Sequence, residues 1–227
     1  MATFSSLIKE VLPYVPTCPD NLVESHLRSA TIELCEKSQA YVYDLDSITS
    51  VSGVYEYDFG QPTSTTVHQI LWMTYNGDDL DPISPRSLEL NYPDWRDKSS
   101  IPQVYLQKSP DAFWLVPVPN STTTNAIQIS VALKPTRSSS NIDSTFSNDY
   151  RDAIIYGALY RLLRMPNREW SDPTAANDYL SLFMQETKQA ELRARAGDLG
   201  VRRLVKYKGV GLSPRKRYKR YGREIDY

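Results

Sequence analysis

The sequence predicts an α+β protein: a helical bundle body with an inserted antiparallel β sandwich or barrel, followed by an extended C-terminal tail. Apolar residues recur with a period near 3.6 at both ends of the chain and form strand-like runs in the middle. The last 27 residues then carry ten Lys or Arg and two acids. These observations divide the 227 residues into a helical body (1–49 and 137–200), an inserted β subdomain (50–136) and a basic tail (201–227).

The first part of the chain predicts two helices. Residues 4–12 form a short helix that stops at Pro13, because proline lacks the backbone N–H that continues a helix. Thr17 is the predicted N-cap of a second helix, with Asp20 in the position of the capping-box acid. This second helix covers 20–43. Its apolar face recurs at helical spacing and consists of Val23, Leu27, Ala30, Leu34 and Tyr41.

The middle of the chain predicts short strands separated by turns. β-branched and aromatic residues dominate five runs, at 54–59, 68–75, 103–108, 112–118 and 126–134. Asn76-Gly77 favours a tight hairpin turn, since both residues tolerate positive φ. Several prolines make 80–102 an irregular excursion, and 136–144 is a polar linker. Short strands at this spacing are typical of an antiparallel sandwich or partial barrel.

Two more helices are predicted before the tail. Ser147 is the expected N-cap of the first. Asp172 followed by Pro173 predicts the start of the second, because a carboxylate caps free N–H groups and proline suits the first turn. Gly197 or Gly200 is its predicted C-terminal cap. The apolar faces are Tyr150, Ala153, Ile154, Gly157, Ala158, Leu162 and Met165 in the first helix, and Ala176, Tyr179, Leu180, Phe183, Met184 and Thr187 in the second.

The sequence carries no catalytic or cofactor signature. It contains no phosphate-binding glycine loop and no nucleophile elbow. His26 and His68 have no Cys or His at metal-ligand spacing, and Asp78, Asp79 and Asp81 fit a solvated turn. We therefore expect a protein that is not an enzyme and that has no metal and no cofactor.

The cysteines and the longest apolar runs indicate the compartment. Cys18 precedes the predicted helix and Cys35 lies within it, too far apart for a disulfide, which favours a reducing compartment. The N-terminal segment lacks the features of a signal peptide. No apolar run approaches the roughly 18 residues that a membrane span needs, so no membrane partner is expected.

The charge distribution separates the tail from the rest of the chain. The chain has 26 basic and 27 acidic residues, of which the first 200 positions hold 16 and 25. A body with a net charge near −9 therefore precedes a tail near +8. Apolar and tyrosine side chains are interleaved with the basic ones. This pattern indicates a partner outside the chain, because a solubilising tail has no use for apolar residues.

Four interpretations of the tail stay open. The tail can dock on a protein: its apolar residues would supply the binding contacts, and its basic residues would attract it to the partner surface. It can bind nucleic acid through 213–223, where basic residues alternate with tyrosine. It can be a disordered basic segment without a defined partner. A short basic run at 214–217 also matches a nuclear import signal, a pattern that is frequent by chance.

Two segments, 12–41 and 150–200, carry a family resemblance. The matching pieces are Cys18-Pro19-Asp20, Glu33-Leu34-Cys35-Glu36, Asp152-Ala153-Ile154, Gly157-Ala158-Leu159, Leu162-Leu163 and Trp170-Ser171-Asp172-Pro173. In this order they resemble the head-to-tail adaptor, or neck connector, proteins of short-tailed bacteriophages. The β insertion and the tail match that family in placement and composition rather than in motif.

The resemblance implies a structural virion protein. In that family, helical bodies pack into a ring, usually a dodecamer, that joins the capsid portal to the tail and surrounds the DNA channel. Such rings take part in retaining and ejecting the genome. The implied partners are further copies of the chain, the portal protein, a tail nozzle or fibre protein and, in passing, genomic double-stranded DNA. The implied location is the neck of the virion, and the host cytoplasm before assembly.

The predicted site is an interface in the tail. An extended tail of 27 residues reaches up to about 90 Å, at roughly 3.3 Å per residue. In the family that the chain resembles, the C-terminal segment docks on the portal. The alternative function is a nucleic-acid-binding protein that uses the same basic, tyrosine-containing tail. The predicted docking residues are Arg202, Arg203, Lys206, Tyr207, Lys208, Arg215, Lys216, Arg217, Tyr218, Lys219, Arg220 and Tyr221.

Overall fold

The computed structural model describes residues 2–196 and confirms a mixed α+β fold. These residues belong to one compact unit. Their helices are α1 (Phe4–Val11), α2 (Asp20–Ser38), α3 (Pro85–Asn91), α4 (Ser144–Asp149), α5 (Arg151–Leu163) and α6 (Pro173–Ala196), with a 3-10 turn at Leu12–Tyr14. None of these helices has the length and apolar character to cross a membrane.

The strands of this part form four sheets. They are β1 (Ala2–Thr3), β2 (Val42–Asp44), β3 (Ile48–Ser50), β4 (Glu56–Asp58), β5 (Thr65–Tyr75), β6 (Asp78–Asp79), β7 (Asp81–Pro82), β8 (Ser99–Ser100), β9 (Val104–Gln107), β10 (Ala112–Val116), β11 (Val118–Pro119), β12 (Thr123–Pro135) and β13 (Asn141–Ile142). The largest sheet has the order β2-β12-β5-β6, and β3 also pairs with β12. A second sheet has the order β4-β10-β9-β7, and two short sheets pair β1 with β13 and β11 with β8.

The helical core is built from both ends of the chain. Side chains of α1, α2, α5 and α6 form one buried cluster. The three long helices meet at Gly157 of α5, where an added Cβ would lie 2.8 Å from the Cβ of Ala30 and 2.9 Å from the ring of Phe183. Because interiors are close-packed, a side chain at this position would push the helices apart.

α2 is shorter than the predicted range of 20–43. It ends at Ser38, because Gln39 adopts the left-handed conformation (φ 54°) and donates its N–H to the carbonyl of Cys35, 2.9 Å away. A left-handed residue directly after the last turn is a common way for a helix to end. Tyr41 therefore lies beyond the helix, although it still packs half-buried against the helical core.

Two of the predicted N-caps are wrong. Pro19, not Thr17, occupies the N-cap of α2, and no side chain caps that helix. The helix predicted to start at Ser147 is α5, whose N-cap is Tyr150 without a side-chain cap; Ser147 is buried inside the preceding helix, α4. The cap of α4 is Asp143, whose carboxylate accepts the N–H of Phe146 at 3.0 Å. An aspartate one turn upstream is the stronger acceptor for free N–H groups at a helix start.

The predicted start of α6 is confirmed. The carboxylate of Asp172 accepts the N–H groups of Thr174 and Ala175, both at 3.0 Å. Its predicted apolar face is wrong at Met184, which is 54% exposed, because the buried stripe of α6 follows Ala176, Phe183, Thr187 and Ala190. The two glycines predicted as its C-terminal cap lie outside the described residues.

β5 carries two bulges that curl the largest sheet. Trp72 pairs with Ser130 while Ile70 pairs with the next residue of β12, so Leu71 has no partner. The register shifts again at His68, which is skipped in the same way. A bulge bends a strand and increases its twist. It also changes which face the following side chains occupy.

The two larger sheets share one core, as the sheets of a sandwich do. Residues of β5 and β12 contact residues of β4, β9 and β10 in a single buried cluster that includes Val67, Ile70, Met73, Ile127, Val131, Tyr57, Tyr105, Phe113 and Leu115. Each of the five predicted strand runs overlaps an observed strand. The predicted hairpin is confirmed as well: Asn76 (φ 53°) and Gly77 (φ 91°) connect β5 to β6.

Several elements were not predicted from the sequence. The range 80–102 contains α3, whose N-cap Ser84 accepts the N–H of Ser87 at 3.1 Å. The short strands β2 and β3 follow α2, and the predicted linker 136–144 contains β13, whose Ile142 is buried. The division into domains at 49, 136 and 200 stays a prediction.

Candidate interaction surfaces

The predicted docking residues, from Arg202 to Tyr221, lie outside the described part of the chain. Within that part, the charge is unevenly divided. Residues 42–135, here called the β part, hold eleven acidic and five basic side chains. Residues 2–41 and 136–196, the helical part, hold thirteen and eleven. Most of the net negative charge of the body therefore belongs to the β part.

One charge network of the helical part connects two helices. Glu33 of α2 accepts from Lys37 at 2.5 Å and from the hydroxyl of Tyr160 at 3.2 Å, and it forms an ion pair with Arg161 of α5. Arg161 also donates to the carbonyl of Gly157 at 2.7 Å. Burial raises the pKa of Glu33, but the hydrogen bond from Lys37 and the charge of Arg161 outweigh it, so this pKa lies below its usual value. These contacts of Glu33 and Arg161 hold α2 against α5.

Two cysteines and one histidine of the helical part have pKa values shifted mainly by burial. Cys18 and Cys35 are both buried free thiols, and burial is the main reason that their pKa values are raised. Burial, followed by the charge of Arg161, lowers the pKa of His26. Within residues 2–196, no three His, Cys, Asp or Glu side chains are close enough to hold a metal ion.

α6 leaves apolar side chains uncovered. Leu182, Met184 and Leu192 are all exposed, and Met184 lines a groove of about 160 Å³ whose walls come from α2 and α6. The neighbouring charges are paired along the same helix: Glu191 contacts Lys188 at 2.7 Å and Arg195 at 2.6 Å. Exposed apolar side chains on one helix are candidate contacts for another protein surface.

Trp72 is exposed on the outer face of the largest sheet. It follows the bulge at Leu71, and its side chain is 45% exposed. Its indole N–H donates to the carboxylate of Asp79 at 2.9 Å, which holds the ring in one orientation. Ser130, its partner on β12, pairs on its other side with Asp44 of β2. Trp72 and Asp44 therefore lie two strands apart in one row of the sheet.

A depression of about 290 Å³ adjoins this row. Its lining residues are Asp44, Leu45, Ser47, Trp72, Gln128 and Ile129. It lies beside β12, next to the residues that connect β2 to β3. The lining combines an aromatic ring, a carboxylate, a hydroxyl and an amide. The volume is at the low end for a small-molecule pocket, which suits a single side chain better than a cofactor.

The sequence did not single out this surface. The run that contains Trp72 predicts a strand, and strict alternation would have placed neighbouring side chains on opposite faces. Two consecutive large apolar residues, Leu71 and Trp72, are both exposed because of the bulge. The only sequence signal was this break in the alternation.

A comparison with protein families identifies a match over most of the chain. The model of the family described as SU10 adaptor protein matches residues 2–204. The match covers the helical part, the β part and the first residues beyond the described region. A search of curated proteins found no matching protein.

Proposed function

Because the chain belongs to the SU10 adaptor protein family, a bacteriophage family of structural virion proteins, we propose that it is the head-to-tail adaptor that joins the capsid portal to the tail. The family match over residues 2–204 is the observation that carries this proposal. The order of segments agrees with it: a helical body, a β insertion and a basic tail. An adaptor acts by contacting other virion components, so its function depends on the surfaces that make those contacts.

The body is proposed to form a ring of twelve copies around the DNA channel. Ring contacts are heterologous, so each copy presents two different faces. The uncovered side chains Leu182, Met184 and Leu192 of α6 support one such face. The net negative charge of the β part supports a channel wall that DNA passes without binding, because like charges repel.

The tail is proposed to dock on the portal. Its ten basic residues steer it toward an acidic surface, and its tyrosines and apolar residues supply contacts that survive moderate salt. Each tail need bind the portal only weakly, because twelve tails linked in one ring bind at a high effective concentration and together give tight attachment. The rival proposal is that 213–223 binds nucleic acid, where affinity falls steeply with salt.

The ring is tested by mixing the purified chain with portal and measuring the mass and symmetry of the complex. We expect a ring of twelve copies on the portal. The double variant Leu182→Glu, Met184→Glu should assemble poorly while keeping its circular dichroism spectrum, whereas the exposed Asp58→Asn should assemble normally. A chain that stays monomeric with portal present would overturn the ring.

The tail is tested by truncation after Gly200. We expect the truncated chain to lose portal binding, and the intact chain to keep it in moderate salt. Duplex and single-stranded DNA of matched length are the comparison ligands. If the truncated chain still joined the portal, and only the intact chain bound DNA tightly at low salt, the tail would be a nucleic-acid-binding segment instead.

A further inference from the structure

Three tryptophans of the described part have a cation over their rings. The guanidinium of Arg96 lies 4.3 Å from the ring centroid of Trp95, the ammonium of Lys108 lies 4.8 Å from that of Trp114, and the guanidinium of Arg168 lies 5.9 Å from that of Trp170. Cations within about 6 Å of an indole face are attracted by its negative charge density. Among residues 2–196, Trp72 has no such cation.

Trp114 shows what the surroundings of Trp72 lack. Trp114 donates its indole N–H to the carboxylate of Glu56 at 3.0 Å and carries Lys108 on its face. Trp72 likewise donates its indole N–H to an aspartate. A carboxylate at the ring edge and a cation on the ring face thus occur together at Trp114, whereas at Trp72 the carboxylate is present and no described residue places a cation on the ring.

The described part of the chain places no cationic side chain on the carboxylates around Trp72. Asp44, Asp46, Asp78 and Asp79 are all exposed, and none of them forms an ion pair with another described residue. The β part as a whole has a net charge of −6. A field of this sign attracts cationic groups and repels nucleic acid.

We propose that the Trp72 depression binds an arginine side chain on a basic segment of a second protein. The guanidinium would stack on the indole and pair with Asp44, while Ser47 and Gln128 accept its remaining N–H groups. Arginine fits better than lysine because its planar group stacks and offers five donors in fixed directions. This goes beyond the proposed adaptor function, and it requires neither the ring nor the tail.

The full-length chain is titrated with a peptide of six glycine–arginine repeats, and the indole N–H signals are followed by NMR. We expect the Trp72 signal, assigned with Trp72→Phe, to shift saturably while the other three indole signals stay in place. Asp44→Asn and Trp72→Leu should each weaken binding about two- to fivefold, the range for an exposed ion pair or cation–π contact. Asp58→Asn removes the same charge elsewhere in the β part and should leave the affinity unchanged.

Four results would overturn the proposal. The Trp72 signal could fail to shift, or Asp58→Asn could weaken binding as much as Asp44→Asn, which would make the effect one of diffuse charge. Spermidine or a six-lysine peptide could bind as tightly as the arginine peptide, which would remove the requirement for a guanidinium. A peptide of the chain's own residues 213–223, also with six basic residues, could bind more tightly, and the occupant would then be another copy of this chain.

Discussion

The helical part and the β part of the molecule differ in their balance of charge. In the helical part, acids and bases are nearly balanced, and one ion pair joins Glu33 of α2 to Arg161 of α5. A second such pair joins Arg151 of α5 to Glu10 of α1. In the β part, eleven acids face five bases, and aspartates such as Asp44 and Asp46 have no cationic partner among the described residues.

The difference indicates a division of labour. Charges that are paired inside the chain stabilise the arrangement of helices, and they leave little for a partner to gain. Exposed carboxylates without an ion-pair partner contribute little to folding, and the proposed cationic partner would pair with them. We therefore expect substitutions in the helical network to change stability, and substitutions around Trp72 to change binding only.

Substitutions in the two cores should have the largest effect, and they test whether the helical part and the β part unfold together. Phe183→Ala in the helical core and Phe113→Ala in the β core each remove a fully buried ring, which should lower the free energy of unfolding by about 3–5 kcal/mol. Because residues 2–196 form one compact unit, we expect one shared transition in urea, by both circular dichroism and fluorescence.

The control is Leu90→Ala, which removes a side chain that is 72% exposed and should change stability by less than about 0.5 kcal/mol. If Phe113→Ala left the helical transition unchanged, the two parts would be independent folding units.

Gly157→Ala tests the closest helix contact. Alanine is favoured over glycine in a helix by about 1 kcal/mol, but overpacking costs about 1–3 kcal/mol. The new Cβ would have contacts of 2.8 and 2.9 Å. We therefore expect overpacking to outweigh the gain in helix propensity and to lower the free energy of unfolding by about 1–2 kcal/mol. Urea denaturation measures the change.

Gly157→Ala introduced into the Phe183→Ala variant should lower the free energy of unfolding by less, because the ring of Phe183 no longer occupies the space that the new methyl group needs. Equal costs in both backgrounds would show that Phe183 is not the obstacle. Ser181→Ala, on the exposed side of α6, is the matched small change and should be close to neutral.

Glu33→Gln tests the helical charge network. The pKa of Glu33 is lowered in the folded protein from its usual 4.5, so its ionised form stabilises the fold at and above that pH. This contribution is lost as the pH falls through the lowered pKa. We expect the variant to be about 1 kcal/mol less stable at pH 7, and this difference to shrink as the pH falls through the lowered pKa of Glu33. A stability difference that did not depend on pH would exclude the ionic explanation.

Asp46→Asn makes the same chemical change in the β part, with the smallest expected effect. No ion pair is lost, and one repulsive charge is removed, so stability at pH 7 should stay within about 0.5 kcal/mol of the wild type or rise slightly. Added salt should shrink any difference, because it screens exposed charges. A loss above about 1 kcal/mol would show that the β part also depends on its carboxylates.

Local sequence signals gave mixed results: the N-caps predicted at Thr17 and Ser147 were wrong, whereas three other local signals were confirmed. The cap at Asp172, the proline stop after α1 and the turn at Asn76-Gly77 each depend on a few neighbouring residues, and the structure confirms all three. The end of α2 at Ser38 was missed because no glycine or proline marks it. Met184 was misplaced because the helical period does not tell which of two adjacent apolar stripes meets the core.

By itself, the sequence determined the α+β class, the order of the helical and strand-rich segments, and the separation of a negative body from a positive tail. These follow from residue type, spacing and charge, which need no long-range contact. Only the tertiary structure decided which charges are paired and which aromatic faces stay open. The bulge at Leu71 turns Trp72 outward, and the register of β12 places Asp44 in the same row. That arrangement depends on residues far apart in the chain, so it emerges only when the sheet has formed.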